Sequence, residues 1–248
     1  MADSTVLLIL GAVAFALAGF VKGVIGLGLP TVVIGLLSLV MSPAQAAALL
    51  VVPVLVTNTW QMFAGPGFMP LLRRLWPMLL GVCVGTWAGS GLISTSANGA
   101  PAIVLGVALM LYAGVSLASV QFHVPPRAEI WLSPIIGAVT GVVTAATGVF
   151  VMPGVPYVQA LALDKEDLVQ ALGISFTVST VALAVALASA GIFRASVAGM
   201  SLIALAPALL GMMVGQWVRQ RVRPEVFRLC FFLGLLALGA HLALRIFY

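Results

Sequence analysis

Charge is what this chain has least of. Only 7% of its 248 residues are Asp, Glu, Lys or Arg, against roughly a quarter in an ordinary soluble domain. So few charges cannot assemble a water-soluble surface, which excludes a soluble enzyme, a disordered chain and a nucleic-acid-binding protein. Cysteine is scarcer still. Cys83 and Cys230 each lie in an apolar run, form no spaced framework and say nothing about redox compartment. No Cys/His pair stands at ligand spacing, so neither a metal site nor a cofactor is expected. The six acidic residues (Asp3, Glu129, Asp164, Glu166, Asp167 and Glu225) all fall at ends or in loops. A cation carrier or a proton relay needs a carboxylate near the membrane centre, and none is there. Walker-type Gly-Lys-Ser/Thr loops are absent, as is any nucleophile-base-acid set, so no catalytic residue and no enzymatic activity is expected.

What remains is apolar. Hydrophobic residues make up 62% of the chain, and the mean hydropathy is +1.23. Apolar stretches run near 5–20, 24–41, 44–62, 76–95, 100–120, 131–147, 149–163, 168–189, 196–217 and 226–246. Charges and turn residues separate them: Ser42-Pro43, Arg73-Arg74, Asn98-Gly99, Pro125-Pro126-Arg127, Asp164 to Asp167, Arg194, and Arg219 to Glu225. The N-terminal run is expected to be a retained span rather than a secretory signal, because Asp3 replaces a basic leader and no small-x-small site follows. The runs lack the two-residue alternation of barrel strands, so the expected fold is an all-α polytopic membrane protein. Two pairs of stretches, 5–20/24–41 and 131–147/149–163, are short and nearly continuous. A helix of 16 residues covers about 24 Å, less than the roughly 30 Å hydrocarbon core. The favoured reading is a re-entrant hairpin of half-helices in each pair; the alternative is two tilted crossings.

An internal repeat is visible. Pro77-Met-Leu-Leu-Gly-Val-Cys-Val-Gly-Thr-Trp87 matches Pro207-Ala-Leu-Leu-Gly-Met-Met-Val-Gly-Gln-Trp217 at an offset of 130, with seven identities. A weaker match at offset 122 pairs Gly19 with Gly141, Val21 with Val143, Gly26 with Gly148, Leu39 with Leu161 and Leu50 with Leu172. The same offset aligns two helix starts, Ser42-Pro43-Ala44-Gln45 and Asp164-Lys165-Glu166-Asp167. The expected domain is therefore a single transmembrane unit spanning 1–248, with repeat 1 (5–120) and repeat 2 (131–247) joined by a short loop (121–130). Each repeat holds a broken helix pair plus three transmembrane helices. That is an odd number of crossings under either reading of the pair, which makes the repeats inverted; a parallel four-plus-four duplication is the alternative. Arg73, Arg74, Arg127, Lys165, Arg219, Arg221, Arg223 and Arg228 then share one side, and Arg194 and Arg245 the other. The first side is expected to be cytoplasmic and both termini outside.

The repeated halves, the hairpin Gly19-Phe-Val-Lys-Gly-Val-Ile-Gly-Leu-Gly-Leu-Pro30 and the Pro-x-x-x-Gly-x-x-x-Gly helices at 77–85 and 207–215 resemble the TauE/SafE family, also called the 4-toluene sulfonate uptake permeases. The resemblance covers nearly the whole chain. It implies a bacterial or archaeal inner-membrane carrier of small sulfur-containing anions such as sulfite, sulfoacetate or organosulfonates, with about seven or eight spans.

Candidate binding residues follow from polarity in apolar surroundings. Lys22 is the only charged side chain well inside a stretch, placed at the expected first break beside Gly23, Gly26 and Gly28. A cation beside exposed backbone N–H groups makes an anion site; a snorkelling lysine is the competing reading. At the second break Thr144, Thr147 and Gly148 offer hydroxyls from the opposite side, unless the hydroxyls bond back to their own helix. Asn58 and Gln61 share one helical face with Thr57 nearby, and Ser175 and Ser179 share another in the second copy, with Thr177 and Thr180 beside them. Such stripes suit either a central passage or interhelical packing. Gly81/Gly85 and Gly211/Gly215 are read as packing faces, and Pro53, Pro77 and Pro207 as kinks.

The expectation is thus a secondary transporter binding a small anionic substrate between the hairpins by alternating access. An anion-selective channel and a non-transporting membrane subunit are the alternatives. Besides its substrate, the expected partners are the lipid bilayer and a second copy in a homodimer, and no nucleic acid.

Overall fold

The computed structural model describes residues 2–63, 65–91, 100–118, 123–219, 221 and 224–244. Asn98, Gly99, Arg223 and Arg245, named above, lie outside them. The described residues form helices and no strand: α1 (Ala2–Ile25), α2 (Leu29–Leu37), α3 (Pro43–Met62), α4 (Phe68–Ala88), α5 (Ala100–Leu117), α6 (Pro126–Thr147), α7 (Gly154–Gln159), α8 (Lys165–Ser189), α9 (Ala195–Arg219) and α10 (Pro224–Leu244). Seven of them are long and apolar enough to cross a membrane, with α5 somewhat shorter. The chain is a multi-pass α-helical membrane protein.

Local chemistry sets the helix ends. Ser42 closes a capping box on α3: its hydroxyl accepts from Gln45 N–H at 3.3 Å, and the Gln45 side chain accepts from Ser42 N–H at 3.1 Å. Asp164 occupies the N-cap of α8 without a side-chain cap bond, followed by Glu166 and Asp167 in the first turn. α1 stops at Gly26 and Gly28, with φ of 89° and 107°, and α6 stops at Gly148 with φ of 75°. A side chain in that left-handed region is strained, so glycine suits the turn at which each helix stops.

The first break lies later than its sequence suggests. α1 runs unbroken through Lys22 to Ile25, because Gly23 packs as a helical residue, and the turn begins only at Gly26. The returning arms are also shorter than expected. Nine residues of α2 rise about 14 Å and six of α7 about 9 Å, so neither crosses a bilayer. In the second arm residues 149–153 and 160–164 are not helical; Pro153 is the N-cap of α7, and Pro156 lies in the first turn of α7, where a proline without an N–H is tolerated.

Glycine faces join the two halves of the chain. On α4, Gly81 and Gly85 abut the backbone of Pro134 and Ala138 on α6; on α9, Gly211 and Gly215 abut the backbone of Ala16 and Phe20 on α1. The partner glycines answer in kind, Gly137 and Gly141 against α4, Gly19 and Gly23 against α9. Gly19 and Gly23 therefore match Gly137 and Gly141 by environment, an offset of 118, whereas the breaks at Gly26 and Gly148 match at 122. α6 runs one additional turn past its packing glycines. The weaker sequence alignment thus holds at the breaks and slips by four residues on the packing faces.

Helix directions follow from the same contacts. α1 runs with α9, since Gly19 meets Ala208 and Gly23 meets Met212; α4 runs with α6, since Gly81 meets Pro134 and Gly89 meets Val142. α3 runs against α8, with Gly67 at Asp167 and Met62 at Gly173. α5 runs against α10: Gly106 meets Ala243, while the Tyr112 and Phe232 rings pack edge to face 5.3 Å apart. α2 runs with α10, from Gly28 at Phe231 to Gly35 at Leu238. Arg73, Arg74, Arg127, Lys165, Arg219, Arg221 and Arg228 fall at one end of the bundle and Arg194 at the other. At the first end Arg74 grips both Glu129 oxygens and donates to the Leu161 carbonyl at 3.2 Å, tying α4, α6 and the second hairpin together.

Candidate anion site

Lys22 is the one charged side chain buried among the described residues, 7% exposed. It lies in the last turn of α1, on a helix held against α9 by Gly19 and Gly23. Its Nζ donates to Thr57 Oγ1 at 2.9 Å and to Asn58 Oδ1, both on α3. Thr57 accepts because its own proton goes to the Pro53 carbonyl at 2.8 Å, an acceptor that a helical threonine finds four residues back.

The site has more donors than acceptors. Two neutral oxygens engage two of the three ammonium protons, and Asn58 Nδ2 is buried with no hydrogen-bond partner among the described residues. No Asp or Glu is buried among the described residues to neutralise the lysine. An ammonium away from water carries a penalty of several kcal/mol that neutral oxygens only partly offset. A small oxyanion supplies what the site lacks: negative charge and several acceptor lone pairs.

The Lys22 head group is enclosed between α1 and α3. Its depth is off-centre, however. Asn58 lies four residues before the C-terminus of α3, about 6 Å along the helix from the arginine-bearing end. A cleft of about 870 Å³ between α3 and α9 adjoins it, walled by Leu55, Thr57, Trp60, Phe63, Met212 and Gln216. Thr57 is common to the cleft and the lysine clasp, and Met212 and Gln216 also flank Gly23.

The remaining candidates divide. Gly23 is a packing residue, while Gly26 and Gly28 form the break just beyond Lys22. Gln61 shares the Asn58 face but donates across to the Val169 carbonyl of α8 at 2.9 Å. Thr144 and Thr147 donate to the carbonyls of Thr140 and Val143, each at 2.7 Å. Gly148 lies against Ala47, eleven residues before Asn58 on α3 and so roughly 16 Å from it along the helix. The second break therefore does not meet Lys22 across a shared ligand space. Ser179 donates to the Ser175 carbonyl at 2.8 Å, and Ser175 Oγ is buried with no partner among the described residues.

Two residues escaped the sequence reading. Gln170, buried on α8, donates to the Met62 and Gly65 carbonyls at 2.9 and 2.7 Å, reciprocating Gln61. An amide in an otherwise apolar helix was the available signal. Ser201, fully buried on α9, bonds the α3 backbone at Leu49 and Val52. Nothing in its own neighbourhood marks it, because its partner gap lies about 150 residues away.

A family model described as Sulfite exporter TauE/SafE matches residues 10–242. No curated protein and no solved structure matches the chain.

Proposed function

The chain belongs to the TauE/SafE sulfite exporter family, and we propose that it is a secondary carrier of small sulfur-containing anions, sulfite or an organosulfonate, in a bacterial or archaeal inner membrane. The observation that carries this reading is the enclosed Lys22–Thr57–Asn58 cluster, a buried cation with free N–H donors and no carboxylate counter-ion. Such a site selects anions by charge and releases them unchanged, without covalent chemistry.

We further propose that the halves are inverted repeats that rock against each other. In support, α3 opposes α8 and α5 opposes α10, each the counterpart of the other in the duplicated sequence. α1 and α6, with 24 and 22 residues, are long enough to cross, so the pairs are not hairpins of half-helices. Each is a full-length helix followed by a short returning arm, α2 or α7, and the two pairs fit openings to opposite faces. The arginine-bearing end is assigned to the cytoplasm by the positive-inside rule, with both termini outside.

Sulfite flux in proteoliposomes tests the reading. Saturable uptake that shows counterflow and is lost in Lys22→Ala supports a carrier using this lysine. Unchanged flux in that variant removes Lys22 from the mechanism, and ohmic currents without counterflow indicate a channel.

A further inference from the structure

Pro53 interrupts α3 four residues before the pair that holds Lys22. Proline has no N–H, so the Leu49 carbonyl loses the donor a regular helix provides from residue 53. In lipid no water replaces it, and an orphaned backbone group is costly. The structure supplies the donor from the other half of the chain. Ser201 Oγ donates to the Leu49 carbonyl at 2.7 Å and accepts from Val52 N–H at 3.0 Å. One hydroxyl is thus inserted into the opened ladder, using both its proton and a lone pair, at a residue with 0% exposure. The second half has no such joint, since Ser175 stands where Pro53 would repeat at offset 122.

We propose that Ser201 is a positioning residue for the Lys22 site, a strut by which α9 sets the angle of the α3 segment carrying Thr57 and Asn58. Its functional part rests on the anion-carrier reading above; its structural part does not. Lys22 comes from α1, which is packed along α9 by Gly19 and Gly23, so α9 holds both sides of the clasp: the cation through α1 and the acceptors through Ser201. A shift of α9 relative to α3 at this joint alters the distance between the ammonium and its acceptors. Side-chain insertion at a proline is a recognised cause of helix bending, and here the inserted group belongs to the opposite repeat.

A double-mutant cycle on the full chain separates this role from ordinary packing. In detergent, Ser201→Ala is expected to lower the thermal midpoint by a few degrees. In a Pro53→Ala background the same substitution has little effect, because the N–H of residue 53 then serves the Leu49 carbonyl. In proteoliposomes, Ser201→Ala raises the half-saturating sulfite concentration several-fold with a smaller change in maximal rate, and Pro53→Ala/Ser201→Ala, which regains stability but still lacks the tie to α9, does not recover the wild-type affinity. Equal midpoint losses in the two backgrounds overturn the strut, as does a double variant that folds no better than Ser201→Ala. Unchanged half-saturation in Ser201→Ala overturns the positioning role while leaving the carrier intact. If the wild-type protein moves no sulfite, the carrier reading fails, and the thermal cycle still decides the joint.

Discussion

The glycine faces make a prediction whose sign changes with position. A methyl group built at Gly85 falls inside the contact distance of the Ala138 carbonyl, and one at Gly215 inside that of the Phe20 carbonyl. Both obstacles are helix backbone, which cannot turn aside as a side chain can. Restoring ordinary contact requires the two helices to separate by about 1 Å, and a gap of that size forfeits up to half of each neighbouring dispersion contact. Overpacking of this kind destabilises by about 1–3 kcal/mol, against about 0.5–1 kcal/mol recovered from alanine's better helix propensity. Gly114 on α5 and Gly199 on α9 are exposed helical glycines with nothing within 4 Å of an added methyl. There only the propensity gain remains. Gly85→Ala and Gly215→Ala are therefore expected to lower the thermal midpoint in detergent by similar amounts, while Gly114→Ala and Gly199→Ala leave it level or raise it. The propensity gain is common to both groups, so the spread between them is the overpacking cost, about 1–3 kcal/mol. If all four variants shift alike, close backbone approach does not hold these helices, and the packing argument fails.

Further outcomes follow from the site. Asn58→Asp places a carboxylate beside Lys22, so sulfite uptake is expected to vanish while the thermal midpoint holds or rises; retained uptake would show that the ammonium charge is not used for substrate. Thr144→Val removes a hydroxyl that bonds only its own helix at 2.7 Å, and transport is expected to stay within twofold of wild type, as measured by initial uptake rates. Single cysteines at Lys165 and Arg194, in a chain lacking Cys83 and Cys230, are expected to react with an impermeant maleimide from opposite sides, Arg194 in whole cells and Lys165 only in inside-out vesicles. Labelling of both from the same side would refute the helix directions read here.

Much of the fold was legible in the residue order because lipid leaves few choices. Apolar runs of membrane length, Ser42 and Gln45 at one helix start, and repeated Pro-x-x-x-Gly-x-x-x-Gly helices each specify local structure on their own. Gly81/Gly85 and Gly211/Gly215 were readable as packing faces for the same reason. The first break falls later than expected because a charged residue beside a glycine interrupts the apolar run without ending the helix. In the structure Gly23 is a contact with α9, and the lysine continues the helix. The expected reach of the second arm exceeds what the structure shows, since periodicity and hydropathy do not distinguish an apolar half-helix from an apolar extended segment ending in a proline.

The residue order alone determined that the chain is an α-helical membrane protein, and it singled out Lys22 as a charge well inside an apolar run, because both depend on composition or spacing along one dimension. Tertiary structure decided which partners that cation meets. Thr57 and Asn58 reach Lys22, the hydroxyls at Thr144 and Thr147 do not, and Ser201 fills the gap left by Pro53. Those outcomes depend on the rotation and one-turn slip of helices against each other, and such displacements are set by where backbones can approach, not by the spacing of polar residues along any single helix.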